Sequence, residues 1–392
     1  MKLSEELISD VSLNTGIATS YIEKDWYLVK VLDAITKLNT DTVKVVFAGG
    51  TSLSKACQYT KRFSEDIDFD VVGLADASRK ERGNFRDKLI KAIDDIEDLK
   101  VEEGSVYSRD ENRFTNFYVE YPKTFRPDSS LRNNLKIELS FKDIYLPTER
   151  KQIKSFVGEY IKDVPVADID CISPIETAAN KFNALLWRVD IKDRSQPYNH
   201  MTNDPALMRH LYDLSALYTA LDASQQFIDL VKEIYKQDCT RGDKTRHLTL
   251  AEFCDKTIEK LETDKDCKKE YEMFVSKMIY RTDSRISFDV ALDHYKKLVK
   301  KANEYNAQIT YFDNNDGWFN PEVMKIVLED LLTEKEIREN LEILFETQIQ
   351  EVEKSGSYIK KIILNCRMLS IPIVAKYFVD ATSFGALSKL SG

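Results

Sequence analysis

Two neighbouring segments constrain the fold of this chain more than any other stretch: Phe47-Ala48-Gly49-Gly50-Thr51-Ser52-Leu53-Ser54-Lys55 and Arg62-Phe63-Ser64-Glu65-Asp66-Ile67-Asp68-Phe69. Val43 to Ala48 is an apolar, β-branched run closed by a glycine pair. It reads as a buried strand turning into a helix that opens at Thr51 or Ser52. Asp66 to Val72 alternates strictly and reads as a second strand. Alternate side chains of a strand share a face. Asp66, Asp68 and Asp70 therefore point one way, while Ile67, Phe69 and Val71 point into a core. Three carboxylates on one face repel one another unless a cation sits between them. Mg²⁺ or Mn²⁺ suits that place, because hard cations take carboxylate oxygens and leave positions open for phosphates. Two such ions about 4 Å apart can stabilise both the attacking and the leaving oxygen of a phosphoryl displacement.

The glycine turn adds to this. A strand ending in Gly49-Gly50 and entering a helix exposes free N–H groups and the positive end of the helix dipole. Glycine lets the backbone approach a phosphate closely, and Thr51 or Ser52 can add hydroxyl donors. Lys55 falls about one turn further along. The GxxxxGK[ST] spacing of a Walker loop is absent. Alone, a DxD is more often a solvated edge-strand face, and glycine pairs at such turns are common. Their succession within so short a stretch is rare, and it marks a phosphate cradle beside a metal site.

A third carboxylate is expected from a neighbouring strand. Leu135 to Ile144 supplies Glu138, on the side away from Ile137, Leu139 and Phe141; Asp143 is the alternative. An exposed Glu on an amphipathic strand is the competing reading. Lys181 and Arg188 lie two turns apart on one side of a helix capped by Ser173. Both can neutralise triphosphate charge, or serve as surface bases. Asp213, among apolar residues in Arg209-His210-Leu211-Tyr212-Asp213-Leu214, needs a partner if buried, and Lys181 is the natural one. His210 reads as structural.

The chain as a whole reads as α+β. The first forty residues are helical, ending near Leu38, with Tyr21, Trp26, Val29 and Leu32 at helical spacing. Ser78 to Lys100 reads as helix, and Thr115 to Tyr121 and Leu135 to Ile144 as further strands of a small mixed sheet. Beyond Ser173-Pro174-Ile175-Glu176, a helix start with Ser at the cap and Glu at the third position, the pattern is helical. Asp204-Pro205 opens another helix, and Gln225–Lys236, Leu250–Glu262, Asp266–Ile279 and Phe288–Tyr305 continue the series. Asn314-Asn315-Asp316-Gly317 is a turn cluster, with a helical appendage from Pro321 onward. The expected domains are 1–165, 166–310 and 311–392, since 392 residues are too many for one ordinary core.

Hydrophobic residues at 43% with 31% charged describe a globular chain. No apolar run approaches the roughly 20 residues a bilayer requires, and Met1-Lys2-Leu3-Ser4 lacks the order of a signal peptide, so the cytoplasm and no membrane partner are expected. The six cysteines form no CxxC and fit no standard zinc spacing. A net charge of −9 argues against broad nucleic-acid binding but not against a polynucleotide held by a local patch.

These residues resemble the AbiEii/AbiGii family of nucleotidyltransferase toxins, which belong to abortive-infection and type IV toxin–antitoxin systems and have the DNA polymerase beta superfamily fold. The matching pieces are Glu23-Lys24-Asp25-Trp26, Gly49 to Lys55, and Arg62 to Asp68, with Lys181 and Arg188, and Tyr212-Asp213-Leu214, as the later motifs. They span roughly residues 1 to 305. The resemblance implies an N-terminal nucleotidyltransferase domain, a C-terminal helical bundle and an active site between them. It implies Mg²⁺ or Mn²⁺ on Asp66 and Asp68, with Glu138 as third ligand, and an NTP held by Gly49, Gly50, Thr51, Ser52, Lys55, Ser64 and Arg188. Lys181 would support the phosphates and Asp213 would stand near the acceptor or act as a base. The acceptor it suggests is RNA, at the 3′ end of tRNA, with a cognate antitoxin as partner. Transfer to a protein or small molecule, or nucleotide binding without turnover, are the alternatives. Two departures stand out: a polar loop, Asp193 to His200, which bears on acceptor access, and the tail after about residue 310.

Overall fold

The computed structural model of the chain describes residues 3–64, 66–126, 131–161, 166–197, 200, 202–204, 207–240, 248–313, 347–356, 358–366 and 369–375. It divides into two compact units, Met1–Ile309 and Thr310–Gly392.

The first unit opens with two helices, α1 (Glu5–Thr15) and α2 (Thr19–Thr36), where the sequence predicts one. Gly16, at φ 72°, ends α1 and returns its N–H to the Ser12 carbonyl. Then follow β1 (Lys44–Ala48), α3 (Gly49–Lys55), β2 (Asp66–Val72), α4 (Arg79–Asp94), β3 (Lys100–Val101) and β4 (Tyr107–Arg109). β5 (Phe114–Glu120), β6 (Leu135–Phe141), β7 (Glu149–Ile153), α5 (Phe156–Tyr160) and β8 (Ala167–Cys171) complete the mixed part. α3 starts at Gly49, two residues earlier than predicted. α4 stops short of Lys100, and Asp98 in the connection to β3 adopts φ 74°, outside any helix.

All these strands join one mixed sheet in the order β3-β5-β6-β2-β1-β8-β7, with β4 paired to β5. β2 lies inside it, antiparallel to β1 and parallel to β6. The small sheet expected from the sequence is thus larger, eight strands among the described residues. Its apolar face packs with α1, α2, α4 and α5 in a core that includes Trp26, Val29, Ile67, Phe69 and Ile137.

α2 is buried on every side from Ser20 to Val29, its charged residues included. Burying charge is costly unless it is paired, and each has a partner. Glu23 accepts N–H bonds from Thr124 and Phe125, at 2.7 and 3.4 Å. Lys24 donates to the Arg132 carbonyl at 3.1 Å. Asp25 pairs with Lys55 at 2.7 Å and accepts the Phe156 N–H at 2.7 Å. The Glu-Lys-Asp-Trp run is therefore architectural, fastening α3, α5 and the segment around 124–132 to one helix.

The helical part comprises α6 (Pro174–Asp190), α7 (Met208–Ala216), α8 (Tyr218–Asp222), α9 (Gln225–Thr240), α10 (Leu250–Thr263), α11 (Lys265–Met278) and α12 (Phe288–Asp313). They share a second core, with Phe182, Leu186, Leu211, Phe227 and Tyr295 fully or almost fully buried. Ser173 caps α6 through the Ile175 N–H at 3.3 Å. Glu176 does not close a capping box. Its carboxylate takes the N–H groups of Tyr145 and Leu146, at 3.1 and 3.0 Å, and so ties α6 to the connection after β6. α7 begins at Met208, and residues 205 and 206 lie outside the described residues.

The second unit corrects the helical appendage. Its described residues form an antiparallel sheet of β9 (Thr347–Ser355), β10 (Tyr358–Cys366) and β11 (Leu369–Ile373), in the order β11-β10-β9. The physical reason is legible: Ser355 pairs with Tyr358 across a two-residue Gly-Ser connection, a hairpin signal, and Tyr358-Ile359 and Ile362-Ile363-Leu364 are β-favouring. Residues 321–346 of the expected appendage, and the turn cluster at 314–317, lie outside the described residues. No helix among the described residues is long and apolar enough to cross a membrane.

Candidate active site

The cleft that collects the chemistry of the sequence has a volume of about 260 Å³ and is lined by the glycine turn, β2, Glu138 of β6, and residues of α6 and α7. β1 delivers the turn. Ala48 is paired in register with Asp68, so the chain leaves β1 directly beneath that carboxyl. Gly49 has φ 71°, and a Cβ there would lie 1.8 Å from Asp68 Oδ2. A Cβ on Gly50 would lie 2.1 Å from the Arg62 guanidinium. Both glycines are thus required by close approach.

Asp66, Asp68 and Asp70 all line this cleft, as the alternation predicts. Glu138 is the register partner of Asp68 on the parallel strand β6. Asp66 has one oxygen 2.7 Å from Arg132 and the other 3.2 Å from Arg209, with Lys136 at 3.9 Å. Glu138 is paired to Lys136, and Asp70 to Lys142 at 3.2 Å. Asp68 makes no ion pair among the described residues. Burial, Glu138 and Asp66 push its carboxyl up to about 8. Burial acts on Asp66 in the same direction, yet Arg209, Arg132 and Lys136 hold its carboxyl below the usual range.

Beneath the cleft, Asp213 of α7 is fully buried. Lys181 reaches it at 2.8 Å, the partner expected from sequence. The sequence reading missed a second partner: Arg62 binds both oxygens, through Nε at 2.7 Å and Nη2 at 2.8 Å. Burial alone would raise the Asp213 carboxyl, but these two cations bring it down to about 2. With both oxygens engaged and the proton held off, Asp213 clamps Arg62 and Lys181 in the structure. Arg62 itself bridges to Ile279, and the Phe63 N–H bonds to the Met278 carbonyl at 2.9 Å. The segment leading to β2 is thereby pinned to the end of α11.

Not every residue expected at the nucleotide lines the cleft. Lys55 is held by Asp25 and lies over the Phe156 ring at 3.8 Å, in an adjoining pocket that shares Arg62 and Ser64 with the cleft. Ser52 is fully buried, and Thr51 donates its hydroxyl to the Asp66 carbonyl, fixing β2 to α3. Ser64, Lys181 and Arg188 do line the cleft, Arg188 paired with Asp204. Asp143 is not among the lining residues. His210 is, with both ring nitrogens buried and unbonded in the structure. Burial, Lys181 and Arg188 keep its ring neutral.

Arg62, Arg132 and Arg209 are site residues that sequence reasoning did not single out. Arg209 had a signal, since it stands one turn before Asp213 on the same helix face. The donor set suits a hard divalent cation: four carboxylates, Asp66, Asp68, Asp70 and Glu138, line one cleft, and Asp68 is buried there with no ion pair among the described residues. Among the described residues no three such side chains already form a cage for a metal ion, because Asp66 and Glu138 are turned to arginine and lysine.

Hard oxygen donors at a glycine turn, faced by a cationic helical wall, meet the needs of nucleotidyl transfer, and the chain is a nucleotidyltransferase. The family described as "Nucleotidyl transferase AbiEii toxin, Type IV TA system" matches residues 30–294, more than half of the sequence, and the chain belongs to that family. Membership implies an NTP substrate and an antitoxin partner. A second family, "FAD dependent oxidoreductase", matches residues 268–392, less than half of the chain. No curated protein matches the chain. Among solved structures, MenT4, a nucleotidyltransferase toxin from Mycobacterium tuberculosis H37Rv, is similar at 18% identity. The match covers 77% of this chain and 98% of that one, with a TM-score of 0.47.

Proposed function

We propose that this toxin transfers a nucleotide from an NTP to an RNA acceptor, the 3′ end of tRNA, in the cytoplasm, and that Asp66, Asp68 and Glu138 hold Mg²⁺ or Mn²⁺ for the reaction. The observation that carries this reading is the convergence of Asp66 and Asp68 on the glycine turn, with Lys181, Arg188 and Arg209 in the same cleft. A bound divalent cation would polarise phosphate oxygens and offset charge on the departing pyrophosphate.

The remaining work belongs to the chain. The backbone at Gly49 and Gly50 gives a phosphate close access, and the Ser64 hydroxyl is placed to bind it. Lys181 and Arg188 offset triphosphate charge, Lys181 being aimed by Asp213. The cationic wall of Lys181, Arg188 and Arg209 gives an acidic chain a local patch to hold a polyanion, which supports RNA as acceptor.

The test is incubation of the protein with each labelled NTP, Mg²⁺ or Mn²⁺, and total cellular RNA. Label is expected in RNA of tRNA size. Label in protein or in small molecules would replace the acceptor, and binding without pyrophosphate release would remove the chemistry. Asp66→Asn and Asp68→Asn should retain the fold and lose transfer by about a thousandfold or more, the equivalent of several kcal/mol.

A further inference from the structure

Both oxygens of Asp66 are taken by guanidinium groups, Oδ1 by Arg132 and Oδ2 by Arg209. A cation that uses this carboxylate must displace at least one of them. The two arginines differ in where they go when displaced. Arg132 is 43% exposed and does not line the cleft, so water receives it. Arg209 is 26% exposed, lines the cleft, and has Asp66 as its carboxylate partner among the described residues. Asp213, one turn further on α7, cannot take it over, because Arg62 and Lys181 already use both of its oxygens. A displaced Arg209 is a largely buried charge in need of an anion, and a planar guanidinium suits a phosphate well.

We propose that Arg209 is a transferable counter-ion: it pairs with Asp66 in the metal-free enzyme and passes to the triphosphate when a divalent cation takes Asp66. The proposal rests on the metal reading above. Arg209 then couples the two ligands. Metal alone, entering from the cleft that Arg209 lines, expels it from Oδ2 without compensation and binds weakly, whereas metal with nucleotide gives it a new partner and binds tightly. That coupling is reciprocal by linkage.

The consequence is a pair of opposite effects from one substitution. In the full-length protein, Arg209→Gln should tighten binding of Mn²⁺ alone, by roughly three- to tenfold, and weaken binding of a non-hydrolysable NTP in the presence of Mn²⁺, by about tenfold or more. A purely structural arginine would move both in the same direction. Arg209→Lys keeps the charge and should lie between, and Arg132→Gln, at an exposed position, should tighten Mn²⁺ alone without weakening the nucleotide. Mn²⁺ is followed by paramagnetic resonance, nucleotide by calorimetry, and the fold by melting. If Arg209→Gln does not fold, the Arg209→Lys and Arg132→Gln responses decide. Unchanged or weaker Mn²⁺ binding in these variants, with wild type binding normally, overturns the role of Arg209 alone. No Mn²⁺ binding by wild type, with or without nucleotide, overturns the metal reading and this proposal together.

Discussion

Burial acts on Asp66 and Asp68 alike, and the company each keeps separates them. Arginines hold Asp66 ionised, while Asp68, beside Glu138 and Asp66, keeps its proton up to about pH 8 in the metal-free protein. A cation on Asp68 must expel that proton, so metal affinity should climb by up to about tenfold per pH unit below 8 and level off above it. Calorimetry of Mn²⁺ binding between pH 6 and 9 checks the slope. Stability carries the complementary sign. An unfolded Asp ionises near pH 3.9, so between about 4 and 8 the folded state binds more protons and the metal-free protein loses stability as pH rises. Asp68→Asn should therefore melt higher than wild type in chelator at pH 7.5, by a margin that shrinks at pH 5. Asp66 and Asp68 were legible as a pair because strand alternation is a local rule. The opposite states of the two were not, because Arg132 and Arg209 reach Asp66 from 66 and 143 residues away and leave Asp68 without a pair.

At the scale of elements, the β1–α3 turn and β2 are one device. The Thr51 hydroxyl on the Asp66 carbonyl and the Asp68 carboxyl over Gly49 leave the turn no freedom to carry a side chain. Gly49→Ala should cost about 1–3 kcal/mol from the left-handed backbone alone, lower the melting temperature, and abolish transfer by driving Asp68 aside. Partial rescue of activity without rescue of stability would contradict this account. The same two strands and the helix between them were readable from sequence, since glycines and aspartates punctuate an otherwise apolar pattern. β3 and β4 were not, being two and three residues long. β7 offers only a charged string, Glu149-Arg150-Lys151-Gln152. β8 does alternate, Ala167-Asp168-Ile169-Asp170-Cys171, and was the missed opportunity. In the tail, the helical expectation failed because the β-favouring runs on either side of Gly356 pair with one another, Tyr358 with Ser355 at the turn.

For the molecule as a whole, the residues proposed to bind metal and nucleotide lie within Met1–Ile309, and the family match ends at residue 294. A protein of residues 1–313, which preserves α12, should fold cooperatively and retain nucleotide transfer within a few-fold of the full chain. Circular dichroism melting and the labelled-NTP assay test both parts, and loss of folding would show that the second unit is integral. Within the first unit, the helical series contributes Lys181 and Asp213 to the floor of a site whose carboxylates belong to the sheet.

The interior placement of Glu23, Lys24 and Asp25 carries a consequence for how this toxin comes into being. Glu23 and Lys24 hold the chain at residues 124, 125 and 132, and Asp25 holds α3 and α5, so three separate pieces are moored on one enclosed helix. A polypeptide that stops short of Phe156 therefore leaves the Asp25 carboxylate without one of its two moorings.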